Sequence, residues 1–150
     1  MYKKILVGYD GSEGSKAALA GAAKIAEQFE ANVTALWVRE PLPRYSDLPG
    51  EAEEEFANAE DFFQGRQMEV ANFAAQRGLA IECETQSGQP AKGIVAFAKK
   101  HACDLIIIGH SNHSGFWSRL LLGDTADRIS DHAHCSVLIV KVGLPAAAKA

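Results

Sequence analysis

The stretch CDLIIIGHSNHSGFWSRLLLGDTADRISDHAHCSVLIVK, Cys103 to Lys141, decides the fold. It reads as a buried strand over Leu105 to Ile108, a Gly-containing turn from Gly109, a helix from about Thr125 to His132 that opens behind Gly123, and a last strand from Ser136 to Val142. Unbroken runs of Leu, Ile and Val belong to strands covered on both faces, which is the condition of a parallel sheet. A glycine at the carboxyl end of such a strand, followed by small polar residues and a helix start, offers backbone N–H groups to an anion. The expectation is a small-molecule site for a phosphate-bearing ligand at the top of a parallel sheet.

Working outward, Ile5-Leu6-Val7-Gly8-Tyr9-Asp10 is a second short apolar run that ends in turn residues. Ser12 is a candidate N-cap for a helix carrying Ala17, Ala18, Leu19, Ala22, Ile25, Ala26 and Phe29, small residues that let the helix lie close to a sheet. Asn32 to Val38 forms another strand, and Arg39 to Gly50, with three prolines, an irregular crossover loop. A long amphipathic helix is expected over Glu51 to Arg77, with Phe56, Phe63 and Val70 seven apart and Gly78 as its stop. Leu79 to Thr85 alternates as an edge strand, and Gln89-Pro90 starts a helix that turns Ile94, Phe97 and Ala98 inward. This alternation of strand and helix predicts an α/β fold. Ligands of such sheets bind at the carboxyl ends of strands where the connections change sides, here Asp10-Gly11-Ser12, Val38-Arg39 and Gly109-His110.

Composition narrows the function classes. A chain of 150 residues, 47% hydrophobic and 23% charged, fits one ordinary globular domain. A net charge of -4 without a Lys/Arg cluster argues against nucleic acid, and no apolar run reaches the length of a membrane span. No signal-peptide pattern precedes the first strand. Cys83, Cys103 and Cys135 are odd in number and scattered, as expected of buried thiols in a reducing cytoplasm. His110 and His113 lack a Cys or carboxylate set that would complete a metal site, and read as polar loop residues able to contact phosphate, better when protonated. Ser111 and Ser114 have no elbow motif and no neighbouring base, so no catalytic residue is assigned. A Walker-type loop is absent.

The ordered set of Ile5-Leu6-Val7-Gly8-Tyr9-Asp10-Gly11-Ser12, Asp104-Leu105-Ile106-Ile107-Ile108-Gly109-His110-Ser111, Leu120-Leu121-Leu122-Gly123-Asp124-Thr125 and His134-Cys135-Ser136-Val137-Leu138-Ile139-Val140 resembles the universal stress protein (UspA-like) family. The resemblance spans residues 3–142, leaving 143–150 as a tail. It implies a Rossmann-like, adenine nucleotide alpha hydrolase-like fold: a five-stranded parallel sheet of order 3-2-1-4-5 with helices on both faces. It further implies a cytoplasmic stress-response module and a homodimer formed through the last strand, Val137, Leu138, Ile139 and Val140. The turn Asp10-Gly11-Ser12-Glu13-Gly14-Ser15, with Glu13 where phosphate would approach, argues against an enzyme beyond slow ATP hydrolysis.

One branch of that family binds ATP through Gly-x-x-Gly, nine residues, then Gly-Ser or Gly-Thr; another has lost the ligand. Asp10, Val38 and Gly109 match the binding branch, with Gly11 and Ser12 beside Asp10 and with His110 and His113 in the phosphate turn. Asn112 stands for the second glycine, and residues 113–122 make ten between it and Gly123, one more than the pattern. Asp124 occupies the hydroxyl position, where it caps the helix but competes with phosphate, and Thr125 offers the hydroxyl one residue later. Two readings follow: an adenine-nucleotide-binding protein whose ATP carries Mg²⁺, or a dimeric interaction protein of the same fold without ligand.

Overall fold

The computed structural model describes residues 1–40, 51–111 and 125–142, the side chains of 51–57 and 111 excepted. Its elements are β1 (Lys4–Gly8), α1 (Glu13–Phe29), β2 (Asn32–Arg39), α2 (Glu51–Arg77), β3 (Ile81–Ser87), α3 (Pro90–Lys100), β4 (Leu105–Ser111), a helix α4 described over 125–132, and β5 (Ser136–Val142). The strands form one sheet of order β3-β2-β1-β4-β5, and every pairing is parallel. Both expectations, the alternating α/β class and the strand order, hold.

Each strand alternates its side chains between two apolar layers. Ile5, Val7, Leu105 and Ile107 meet Ala18, Leu19, Ala22 and Ala26 of α1 and Val70 of α2 on one face. Leu6, Leu36, Ile106 and Ile108 meet Ala91, Ile94, Phe97 and Ala98 of α3 and Ala126 and Ile129 of α4 on the other. The central strands are therefore buried on both sides, as their unbroken apolar runs require. β3 at one edge alternates half-buried Ile81 and Cys83 with exposed Glu82 and Glu84, the pattern of a half-covered strand.

Helix ends follow local chemistry. The Ser12 Oγ accepts the Ser15 N–H at 3.3 Å and caps α1, whose last turn is closed by Glu30 in a left-handed conformation (φ 53°). Gln89 caps α3 through its side-chain oxygen on the Lys92 N–H at 3.1 Å, with Pro90 in the first helical position.

Some strand boundaries differ from the sequence expectation. β4 does not end at Ile108; it continues through Gly109 and His110 to Ser111, paired with Val140, Lys141 and Val142. The partner strand supplies the ladder that propensity alone would not grant to Gly-His-Ser, so Gly109 is a strand residue and not the start of the turn. β3 likewise runs two residues later than expected, because its register against β2 carries Ser87 opposite Arg39.

Candidate functional site

The first turn of α1 lies directly on the end of β4. A side chain on Gly109 would overlap the backbone of Gly14, its Cβ lying 2.6 Å from the Gly14 Cα. This contact brings the β1–α1 turn beside β4, and only glycine permits it. Within that turn the Asp10 Oδ1 accepts the Ser12 N–H at 2.9 Å, a local ring that orders the chain ahead of the helix. Ser15 is buried, and its hydroxyl donates to the Ser12 carbonyl at 3.0 Å. On the opposite wall α3 approaches β2 at Gly93, where a Cβ would lie 2.8 Å from the Val38 Cγ1.

These approaches leave a crevice of about 330 Å³ at the carboxyl ends of β1, β2 and β4. Its apolar wall is Leu36, Val38, Ile94 and Ile108; its polar groups are the carboxyls of Asp10 and Glu40 and the hydroxyls of Ser12, Ser15 and Thr125. Among the described residues no Lys or Arg lines it. An apolar wall with a few convergent oxygen groups suits a ligand with a flat apolar part and a hydroxylated part.

Of the residues singled out in the sequence, Asp10, Ser12, Val38, Gly109 and Thr125 line this one crevice. Gly11 and His110 adjoin it without being among its lining residues. Gly11 is in the left-handed region (φ 86°) and faces Arg66, whose Cδ lies 2.7 Å from where a Cβ would stand. His110 is half-buried opposite Lys141, with its Nδ1 buried and lacking a partner among the described residues. Asn112, His113, Gly123 and Asp124 lie outside the described residues, as do Ser114, Phe116, Trp117, most of the crossover loop and the tail from 143.

Sequence reasoning missed a layer that backs the site. The Tyr9 hydroxyl donates to Glu69 Oε2 at 2.9 Å, and Glu69 Oε1 pairs with Arg66 at 2.8 Å. Burial, together with the hydrogen bond to Glu69 and its negative charge, pushes the Tyr9 hydroxyl well above the usual phenol range, against a smaller opposing effect of Arg66. Arg66 also lies over the Phe62 ring, 4.5 Å from its centroid, and Phe62 packs at 4.6 Å on Trp37 of β2. The only available signal was the aromatic-rich first half of α2, which does not say which strand residues it meets.

Elsewhere, the three cysteines are unbridged; Cys103 is buried, while Cys83 and Cys135 are only half-buried. No group of three or more His, Cys, Asp or Glu able to hold a metal ion occurs among the described residues. No helix there is long and apolar enough to cross a membrane.

The fold and crevice define a doubly wound α/β module with an open cleft at the strand ends. The model of the universal stress protein family matches residues 1–141, and a universal stress protein of Methanocaldococcus jannaschii is 38% identical over 143 residues, covering 94% of this chain and 83% of the relative. The chain belongs to the universal stress protein family. Among solved structures it resembles a universal stress protein in complex with cAMP (TM-score 0.66, 24% identity, covering 93% of this chain and 96% of the other). It also resembles a universal stress protein family protein from Arabidopsis thaliana with AMP bound (TM-score 0.69, 17% identity, covering 99% and 95%).

Proposed function

We propose that this chain is a non-enzymatic, cytoplasmic stress-response module, residues 3–142, that binds an adenine nucleotide, ATP in the first instance, in the crevice. The observation that carries the reading is the convergence of Asp10, Ser12, Val38, Gly109 and Thr125, from four separate segments, on one cleft. Two structural neighbours that hold cAMP or AMP support the ligand class.

In this reading the base lies against Leu36, Val38, Ile94 and Ile108, and the Asp10 carboxylate accepts from a ribose hydroxyl. Ser12, Thr125 and the backbone at Gly109 take the phosphate side, with Gly11, His110, Asn112, His113, Gly123 and Asp124 completing it. Because no described Lys or Arg lines the crevice and Asp10 and Glu40 add negative charge, Mg²⁺ accompanying the phosphates would supply the missing positive charge. The chain is proposed to pair with a second copy through β5, whose Leu138 is 39% exposed on the outermost strand.

The second reading, a dimeric interaction protein without nucleotide, is favoured by Asp124 at the helix start and Asn112 in place of glycine. Nucleotide content separates the two. Freshly purified protein is denatured and the released small molecules are resolved by ion-pair chromatography. A stoichiometric adenine nucleotide is expected. An empty trace, with no thermal shift on adding Mg²⁺ and ATP, would leave the interaction reading.

A further inference from the structure

Arg66 is held on three sides. Glu69 binds its guanidinium at 2.8 Å, the Phe62 ring lies beneath it at 4.5 Å, and it lies over Gly11, with its Cδ 2.7 Å from where a Cβ on that glycine would stand. Its Nε is buried without a hydrogen-bond partner among the described residues, so packing fixes this end of the guanidinium more than polar contacts do. Glu69 is itself anchored by the Tyr9 hydroxyl. Tyr9 immediately precedes the Asp10-Gly11-Ser12 turn, and Gly11 is its middle residue. Asp10 and Ser12 of this turn line the crevice, while Gly11 between them faces Arg66.

We propose that Arg66 is a positioning residue for the crevice: wedged on Gly11 by Glu69 and Phe62, it fixes the turn that presents Asp10 and Ser12 to the ligand. This rests on, and deepens, the ligand-binding reading above. A turn with a left-handed glycine at its centre has many alternatives once its backing is removed, and each alternative displaces the Asp10 carboxylate. The long α2 thereby becomes part of the binding apparatus without touching the ligand.

The Ser12 amide, bonded to Asp10 Oδ1, reports the turn in the ligand-free protein. Amide exchange followed by NMR in Arg66→Ala is expected to be about threefold to tenfold faster at Ser12, the effect of losing one ion pair and one cation–ring contact, and unchanged at Ile107 in β4. No change at Ser12, or an equal change at both, overturns the proposal. If Arg66→Ala does not fold, Glu69→Gln, which can still accept from Tyr9 but releases the Arg66 charge, is read in the same way. In a titration with AMP, the affinity lost through Arg66→Ala should shrink in an Asp10→Ala background; an undiminished loss would mean that Arg66 acts by another route. Wild-type protein that takes up no adenine nucleotide would sink the ligand reading, while the Ser12 exchange still decides the role of Arg66.

Discussion

Gly14 and Gly109 face each other backbone to backbone, ninety-five residues apart in the chain (109 − 14), where the first turn of α1 rests on the end of β4. The two sides of this contact are unequal. A Cβ on Gly109 would overlap the peptide of Gly14, whereas one on Gly14 would come no nearer than 3.3 Å to the Gly109 carbonyl carbon.

Gly109→Ala is therefore expected to cost about 3 kcal/mol or more, because rigid backbone and not a flexible side chain must yield. Gly14→Ala should stay within about 1 kcal/mol of wild type, its close contact being offset by better helix propensity. Urea midpoints of the two variants check this, and equal losses would refute the packing asymmetry.

Ser12→Ala removes the cap of α1 and is expected to lower stability by about 1 kcal/mol in the same assay. Ser12→Asp should keep most of that stability, since a carboxylate caps as well, yet weaken any phosphate ligand by charge repulsion. That outcome separates the cap from the proposed ligand role, and a variant that lost both or neither would contradict it.

Burial, with a smaller contribution from the Glu84 charge, pushes the Cys83 thiol from its ordinary 9.0 up to about 11. Its reaction with iodoacetamide at pH 8 should be slow beside that of a small free thiol, because little thiolate exists. Between pH 9 and 11 the unfolded chain loses this proton while the folded chain keeps it, so stability is full below pH 9 and declines as pH rises through that window. Cys83→Ser should flatten this part of the alkaline stability profile.

Ile139 packs into the layer shared with α3 and α4, but Leu138 is exposed on the outermost strand. Leu138→Lys is consequently the cleaner probe of the proposed pairing through β5. Sedimentation should show a dimer for wild type and a monomer for the variant, with the melting midpoint of the isolated fold little changed. A wild-type monomer would end the dimer proposal.

The elements and their alternation were legible because they depend on local pattern: the Leu105–Ile108 run, Ser12 as cap and Pro90 at a helix start all stand as read. That Asp10, Val38 and Gly109 come together around one crevice was legible too, since they lie at strand ends that the fold class brings side by side. What escaped depends on contacts between distant segments. Arg66 reaching Gly11, Glu69 meeting Tyr9 and Gly93 pressing on Val38 are set by how α2 and α3 lie across the sheet, and no periodicity encodes that. The continuation of β4 through Gly109 escaped for the same reason: its ladder is lent by β5.

The two borders of the sheet are unlike. β3 presents exposed Glu82 and Glu84, while β5 presents Leu138. A copy approaching β3 meets like charge, and a copy approaching β5 meets hydrocarbon. Strand addition is thus favoured at the β5 border over the β3 border. If two copies pair through β5 as proposed, the pair presents only its acidic borders outward, and growth beyond two copies is disfavoured.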